Sequence, residues 1–179
     1  LIPSILHSIS VNQKNADSFS CFEIGRVYQE DSDIFSCEKN ALIIGKYSKT
    51  KETQFRSLVD LSERLLSFLK IPYQLAESNK KFPSRVLPSC WSGIHPVEHF
   101  DLRLMGKMDG SIISIHPHLL KKFKIRGSLS MCIIDLGNLE KVSHGGKFSY
   151  RAIPKFPGAT FDCTVVASND ENIGKVLQA

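Results

Sequence analysis

The pattern of apolar and polar positions divides the first half of the chain into a helix and two strands. Residues 1–11 carry apolar side chains at helical spacing, at Ile2, Ile5, Leu6 and Ile9. That spacing predicts an amphipathic helix. Residues 19–28, FSCFEIGRVY, alternate and are rich in aromatic and β-branched side chains, and residues 40–47 follow as a second strand. Gly25 within the first strand predicts a bulge or a close approach to the backbone.

The clearest helical pattern covers residues 53–69. Its apolar positions are Phe55, Leu58, Leu61, Leu65, Phe68 and Leu69. Polar residues occupy the other face, so the spacing predicts one apolar stripe that packs on a core. Ile71 and Pro72 end the helix. Residues 77–90 are polar and contain prolines, which predicts a loop.

The second half of the chain predicts a hairpin, a short helix and a last strand. Residues 100–105 alternate, a short connection follows, and residues 111–115 form the partner strand. Pro117 opens a short helix at a position where proline is tolerated, and residues 129–136 form the last core strand. The order of elements indicates an α+β fold with a mainly antiparallel sheet flanked by helices.

The segment from Tyr150 to Ala167 predicts a connector that leads into a new sheet. Pro154 and Pro157 fix φ and favour extended backbone in the residues that precede them. The positions from Phe161 onwards alternate, as in a strand with one buried face. We therefore expect two domains, of which the second is truncated: residues 1–146 and residues 147–179.

The composition narrows the class of protein. Hydrophobic residues make up 42% of the 179 residues, enough for a packed core. The formal charge of +5 mildly favours a polyanionic partner but is below the density of a dedicated nucleic-acid binder. No apolar run reaches membrane-spanning length and no signal peptide is visible. The chain begins without Met and ends within a helical pattern, so we expect a piece of a longer protein.

The cysteines show no paired spacing and have no histidine nearby. They are Cys21, Cys37, Cys90, Cys132 and Cys163. Isolated thiols in apolar contexts indicate buried cysteines in a reducing compartment, which favours a cytoplasmic protein.

Candidate catalytic and metal-binding residues are few. His95 and His99 are four positions apart, and His116 and His118 are two apart, but neither pair lies in an HExxH arrangement. The acidic run at residues 30–33 is more typical of a solvated turn than of a cation site. No Ser or Cys lies in a recognised nucleophile motif. We therefore expect neither a metal site nor a catalytic residue in this chain.

The basic run at residues 121–126, KKFKIR, interleaves cations with Phe123 and Ile125. This pattern is compatible with contacts to RNA phosphates. It is also typical of the exposed side of a short helix and its exit loop. The candidate phosphate contacts are Lys121, Lys122, Lys124 and Arg126, with Lys155 from the connector.

Four segments carry a resemblance to a known family. They are FEIGRVY at residues 22–28, His95-Pro96, the run from Gly106-Lys107 to Ile115-His116-Pro117, and Lys155-Phe156-Pro157 followed by Phe161-Asp162. In their order and spacing they resemble the synthetase-like core of bacterial phenylalanine–tRNA ligase beta subunits and the entrance to its C-terminal domain. The chain departs from that family after Pro96, where the family's Gly-Arg-Ser-Ala is replaced by residues 97–100, VEHF. Because Glu98 reverses the charge of that Arg, any contact with an anionic group cannot be carried over.

The resemblance implies a class II aminoacyl-tRNA synthetase-like core that has lost its catalytic motifs. It also implies the start of a ferredoxin-like, anticodon-binding domain after it. In this family two alpha and two beta chains form a heterotetramer, which joins phenylalanine to tRNA(Phe) using ATP and magnesium. The alpha subunit holds the active site, so the resemblance implies that this chain binds no cofactor itself.

The residues fit a loss of adenylation chemistry. Class II chemistry needs an Arg on the α-phosphate and carboxylates for magnesium, because charge develops on the phosphates. Glu23 and Arg26 are three positions apart on a strand, which predicts that they lie on opposite faces. We therefore expect no adenylation by this chain alone.

Three hypotheses follow. The first is a non-catalytic beta-subunit core that docks on the alpha subunit, in part through Leu1, Ile2, Ile5, Leu6 and Ile9. The second is a stand-alone nucleic-acid-binding module that uses the basic run and Lys155. The third is a small enzyme with a histidine-lined pocket at His95, His99 and His116.

Overall fold

A sheet of six antiparallel strands organises the described part of the chain in a computed structural model. The described residues are 1–29, 37–77, 84–87, 90–139, 161–162 and 164–166. The elements are α1 (Ile2–Asn12), β1 (Ser18–Gln29), β2 (Cys37–Ser48), α2 (Phe55–Phe68), β3 (Tyr73–Glu77), β4 (Ile94–Leu104), β5 (Lys107–Ile115), α3 (Pro117–Lys122) and β6 (Ser128–Asp135). The strand order across the sheet is β1-β2-β6-β5-β4-β3. All of these elements belong to a first compact unit, Leu1–His144, and the second unit is Gly145–Ala179.

Helices pack on both faces of the sheet, and each face has its own apolar cluster. On one face, Ile43 and Ile113 pack with Ile5 of α1 and with α3. On the other face, Ile44 and Ile112 pack with the buried side of α2. Successive strand residues point to opposite faces, so β5 and β6, covered on both faces, are buried along nearly their whole length rather than at alternate positions.

Most of the predicted elements are confirmed. The helices predicted at residues 1–11 and 53–69 are α1 and α2, the hairpin is β4–β5, and the last strand is β6. Three differences concern the β5-β4-β3 side of the sheet. β4 and β5 begin earlier than predicted, at Ile94 and Lys107, and β3 lies where no strand was predicted. β3 is a short edge strand in which Tyr73, Gln74 and Leu75 alternate between half-buried and exposed but Ala76 breaks the pattern, which leaves too few positions to predict a strand.

The apolar stripe predicted on α2 is wrong at its C-terminal end. The residues buried against the sheet are Leu58, Val59, Ser62 and Leu66. Phe68 and Leu69 are 84% and 52% exposed. Only the side of the helix centred on Leu58 and Leu66 meets the sheet, and Phe68 lies well away from that side at 100° per residue.

Gly25 confirms the prediction of a close approach to the backbone. A Cβ built there would lie 2.8 Å from Cδ2 of Leu1. The pairing of β1 with β2 runs without interruption through Gly25↔Ala41, so there is no bulge at this position.

The strand predicted from Phe161 onwards is not found among the described residues of that segment. Phe161, Asp162 and residues 164–166 have no strand pairing, and Phe161 is 89% exposed. Alternation alone does not make a strand, because its N–H and C=O groups need a neighbouring strand. Cys163, Lys155, the rest of the connector and the acidic run at 30–33 lie outside the described residues.

Candidate interaction surfaces

The outer face of β1 is apolar and open. Phe22 and Ile24 are 72% and 62% exposed, and Tyr28 on the same face is also exposed. Their register partners are Ile44 for Phe22 and Leu42 for Ile24, and these two belong to the cluster beneath α2. Residues paired across strands share a face, so Phe22 and Ile24 extend the α2 side of the sheet beyond the area that α2 covers.

The residues predicted at a subunit contact on α1 mostly lie in the core. Ile5, Leu6 and Ile9 are buried against the sheet of their own chain. They therefore have no surface to offer to another subunit. Leu1 and Ile2 are half-buried, and for these two a subunit contact stays a prediction.

Sequence reasoning missed the face of β1, although the chain contains a signal for it. Phe19, Cys21 and Val27 point to the side of α1, and Phe22, Ile24 and Tyr28 point to the other side. An edge strand with apolar side chains on both faces needs another element packed on each face to shield them from water. Within the part of the chain that the structure describes, such cover exists on one face only.

Glu23 and Arg26 lie on opposite faces of β1, as predicted. Glu23 is half-buried, whereas Arg26 is exposed and forms an ion pair of 3.0 Å with Glu38 of β2. The hydrogen bond that Arg26 donates to the Glu38 carboxylate raises the pKa of Arg26. This arginine is therefore engaged by its neighbour strand and does not converge with Glu23 on a common ligand position.

The histidines of the third hypothesis separate into two places. The rings of His95 and His116 have centroids 6.5 Å apart. His99 points elsewhere, with its Nε2 3.1 Å from Oδ1 of Asp101. Within the described ranges, no group of three His, Cys, Asp or Glu side chains is arranged to hold a metal ion.

A buried polar chain surrounds Asp101 of β4. Oδ1 of Asp101 accepts a hydrogen bond from Ser111 Oγ at 2.8 Å, and Ser111 Oγ lies 2.8 Å from Ser84 Oγ. The carboxylate thus lies between His99 and Ser111, and the described bonds do not join the imidazole to the hydroxyl. A nucleophile needs its base within hydrogen-bond reach, so this arrangement indicates a structural network between β4 and β5.

A cavity of about 560 Å³ opens at one end of the sheet, between the loop after β2, the start of β4 and α3. Lys51, His95, Glu98 and Lys121 line it. Glu98 accepts a hydrogen bond from Thr53 Oγ1 at 2.8 Å, and the same Thr53 oxygen accepts one from Phe55 N at 3.1 Å. The Glu98 carboxylate therefore holds the Thr53 side chain that also bonds the first residue of α2.

A smaller cavity of about 280 Å³ lies between the start of α1 and strands β1, β2 and β6. Its charged lining residues face carboxylates of the same chain: Lys39 Nζ is 3.8 Å from Asp135 Oδ2, and Arg85 is 3.8 Å from Asp109. The positive charges of Lys39 and Arg85 at this cavity are therefore balanced by carboxylates of the same chain.

The cations of the predicted basic run are exposed, whereas its apolar residues point inwards. Ile125 is buried and Phe123 is half-buried. Both pack with the cluster of α1 and the sheet. The run is thus the exit of α3, with its cations facing solvent. RNA contact by these cations stays a prediction, and Lys155 lies outside the described residues.

Among the described helices, none is long and apolar enough to cross a membrane.

Comparison with known proteins gives one family. The family model described as "Phenylalanyl tRNA synthetase beta chain CLM domain" matches residues 1–136. The phenylalanine–tRNA ligase beta subunit of Clostridium acetobutylicum is 27% identical over 171 residues, covering 93% of this chain and 20% of that protein. The one of Bacillus subtilis (strain 168) is 26% identical over 189 residues, covering 98% and 22%. The chain therefore spans about a fifth of the length of these relatives.

A solved structure shares the fold. The pyrrolysyl-tRNA synthetase of Desulfitobacterium hafniense aligns with a TM-score of 0.58 at 19% identity, over 79% of this chain and 48% of that one. This likeness supports the predicted synthetase-like α+β fold, and at this identity it shows the fold alone.

Proposed function

Since the chain belongs to the phenylalanyl-tRNA synthetase beta chain CLM domain family, we propose that it is a non-catalytic part of a beta subunit. It assembles with an alpha subunit, and the pair of subunit types charges tRNA(Phe) in the cytoplasm with ATP and magnesium. The assembly contains two alpha and two beta chains. The names of the relatives support this proposal, because they are beta subunits of phenylalanine–tRNA ligase.

The observation that supports assembly most directly is the open apolar face of β1. Phe22, Ile24 and Tyr28 present their side chains to solvent on an edge strand. Edge strands with exposed apolar faces associate with other chains, and proteins usually blunt or cover them. A partner subunit seated on this face would remove the apolar area from water.

The placement of Glu23 and Arg26 supports the proposal that this chain takes no part in the chemical step. They lie on opposite faces of β1, and Arg26 is paired with Glu38. Binding of ATP and magnesium is therefore assigned to the alpha subunit, and no residue of this chain is proposed as catalytic.

The test is co-purification with the alpha subunit from the same genome, followed by assay of phenylalanyl-tRNA formation. The variant Phe22→Ser/Ile24→Ser should weaken capture of the alpha subunit at least tenfold. Burying each of these side chains contributes about 1.5–3 kcal/mol, and about 1.4 kcal/mol corresponds to tenfold. Charging by the mixture should fall with capture.

Phe68→Ser/Val97→Ser is the matched control, because both residues are at least as exposed as Phe22 and neither lies on β1. It should leave capture and charging unchanged. Undiminished capture of the alpha subunit by Phe22→Ser/Ile24→Ser would show that the alpha subunit binds another surface. A chain that neither captures the alpha subunit nor supports charging would overturn the proposal.

A further inference from the structure

Seven exposed cations collect at one end of the sheet, which we call the basic end. They come from the loop after α1, the loop after β2, and α3 with its exit: Lys14, Lys49, Lys51, Lys121, Lys122, Lys124 and Arg126. The sequence indicates only the last four, because the others stand singly or beside acids. The structure brings all three segments together.

Gln13 holds the loop after α1 against the exit of α3. Its Nε2 donates to the carbonyl of Lys124 at 2.9 Å, and its Oε1 accepts from the N–H of Arg126 at 2.9 Å. Ser10 Oγ adds a hydrogen bond of 2.8 Å to the carbonyl of Phe123. These bonds join residues more than 100 positions apart.

The loop after β2 is held to the same exit segment. Gly127 packs so closely on Ser48 that a Cβ there would lie 2.1 Å from the Ser48 carbonyl oxygen. Ser128 Oγ donates to the carbonyl of Glu52 at 2.6 Å. The backbone that carries the cations is thus fixed in advance, which lowers the ordering cost of binding.

The cations at this end lie close enough to influence one another. The Asp17 carboxylate, 2.8 Å from Lys49 Nζ, raises the pKa of Lys49, and the charge of Arg126 works against that rise. The carboxylates nearby are Asp17, which is paired with Lys49, Glu98, which is bonded to Thr53, and Glu52. Cations therefore predominate, and such an excess attracts polyanions.

Helix stabilisation explains only part of this arrangement. Lys121 and Lys122 lie in the last turn of α3, where cations are favourable. Lys14 follows the C-cap of α1 and has a similar role, whereas Lys49 and Lys51 lie on the loop after β2 and have none. The exposed aromatic ring nearest these cations along the chain is that of His118 on α3, whose centroid lies 6.4 Å from that of His116, and Phe123 is half-buried.

We infer that the basic end binds the phosphate backbone of RNA. Lys and Arg contacts to phosphates provide affinity without reading sequence. The inference deepens the proposed function and rests on it for the identity of the RNA, a tRNA. Because contacts to phosphates carry no sequence information, the basic end should bind cognate and non-cognate tRNA equally, and selection of tRNA(Phe) must come from elsewhere.

The test is fluorescence anisotropy of the purified chain with labelled tRNA(Phe) and a non-cognate tRNA, between about 50 and 200 mM salt. The variant Lys14→Gln/Arg126→Gln removes one cation from each of two segments. It should weaken both complexes about tenfold and flatten the slope of log K against log salt by about 1.5.

Arg64→Gln/Arg103→Gln is the matched control, since both arginines are exposed and lie outside the basic end, on the second half of α2 and on β4. It should change neither affinity nor slope. Unchanged binding by the basic-end variant, or an equal loss in the control, would overturn the inference, as would the absence of salt-dependent binding at 50 mM salt. Alpha-subunit capture measured on the same preparations separates the two proposals. Lost capture with RNA binding intact counts against assembly and leaves the basic end as an RNA-binding surface.

Discussion

Gly106 and Gly127 share a positive φ, at 85° and 98°, but their surroundings differ. A Cβ at Gly106 would meet no atom within 4 Å, whereas one at Gly127 would lie 2.1 Å from the Ser48 carbonyl oxygen. Gly106→Ala should therefore cost about 1 kcal/mol, the backbone penalty alone. Gly127→Ala should cost clearly more, because the backbone of residues 48–49 must move.

Urea unfolding of the two variants measures this difference. Equal losses in the free energy of unfolding would mean that the backbone of residues 48–49 moves without cost to make room for a Cβ at Gly127. That outcome would argue against a rigid basic end.

At the residue scale, the sequence indicated which side chains were unusual but not which residues they contact. Glu98 was recognised as a reversed charge, but its bond to Thr53 joins residues 45 positions apart. His99 was grouped with His95, yet it contacts Asp101 instead. Such partners depend on which way each side chain points and on what lies opposite, and neither is encoded by spacing along the chain.

At the scale of elements, α2 offers a direct test of which apolar residues support the fold. Leu66 is 1% exposed and Phe68 is 84% exposed. Leu66→Ala should lower the free energy of unfolding by about 2–5 kcal/mol, because it leaves a cavity under the helix. Phe68→Ala should change it by no more than about 0.5 kcal/mol. Chemical denaturation of the purified chain distinguishes the two, and a large cost for Phe68→Ala would show that this side chain is covered in solution.

The elements themselves were largely predictable. Helical spacing and strand alternation are patterns of a few neighbouring residues. Short segments of sequence therefore suffice to predict α1, α2, β1 and the β4–β5 hairpin. β3 was missed because an edge strand of five residues has too little pattern, and it forms only because β4 is there to pair with it.

At the scale of the whole molecule, the alkylation rate of the buried Cys132 thiol measures how often the core opens. Cys132 lies on β6, near the middle of the sheet, and is completely buried under α2. Desolvation raises the pKa of its thiol to about 12, against a weaker opposing effect of a hydrogen bond with Ser62. Cys90 is exposed. Alkylation followed by peptide mass spectrometry should label Cys90 rapidly and Cys132 only as fast as the chain unfolds.

The raised pKa of Cys132 also predicts alkaline destabilisation. The unfolded thiol loses its proton near the ordinary cysteine pKa of 9.0, whereas burial raises the pKa of the folded thiol to about 12. The contribution to stability is therefore complete below pH 9 and is lost as the pH rises from 9 to 12. Between pH 7 and 10, the free energy of unfolding should fall by about 1 kcal/mol more in the natural chain than in Cys132→Ala. Equal losses would show that Cys132 already exchanges its proton in the folded state.

The sequence by itself determined the local elements, the α+β class, the family resemblance and the absence of a recognised nucleophile motif. Each of these depends on residue types and short spacings. Only the tertiary structure decided that Ile5, Leu6 and Ile9 are inside while Phe22 and Ile24 are outside. It also decided that Lys14 and Lys49 lie with Arg126 at one end. The physical reason is that burial and clustering depend on which distant element covers a face or packs beside a loop.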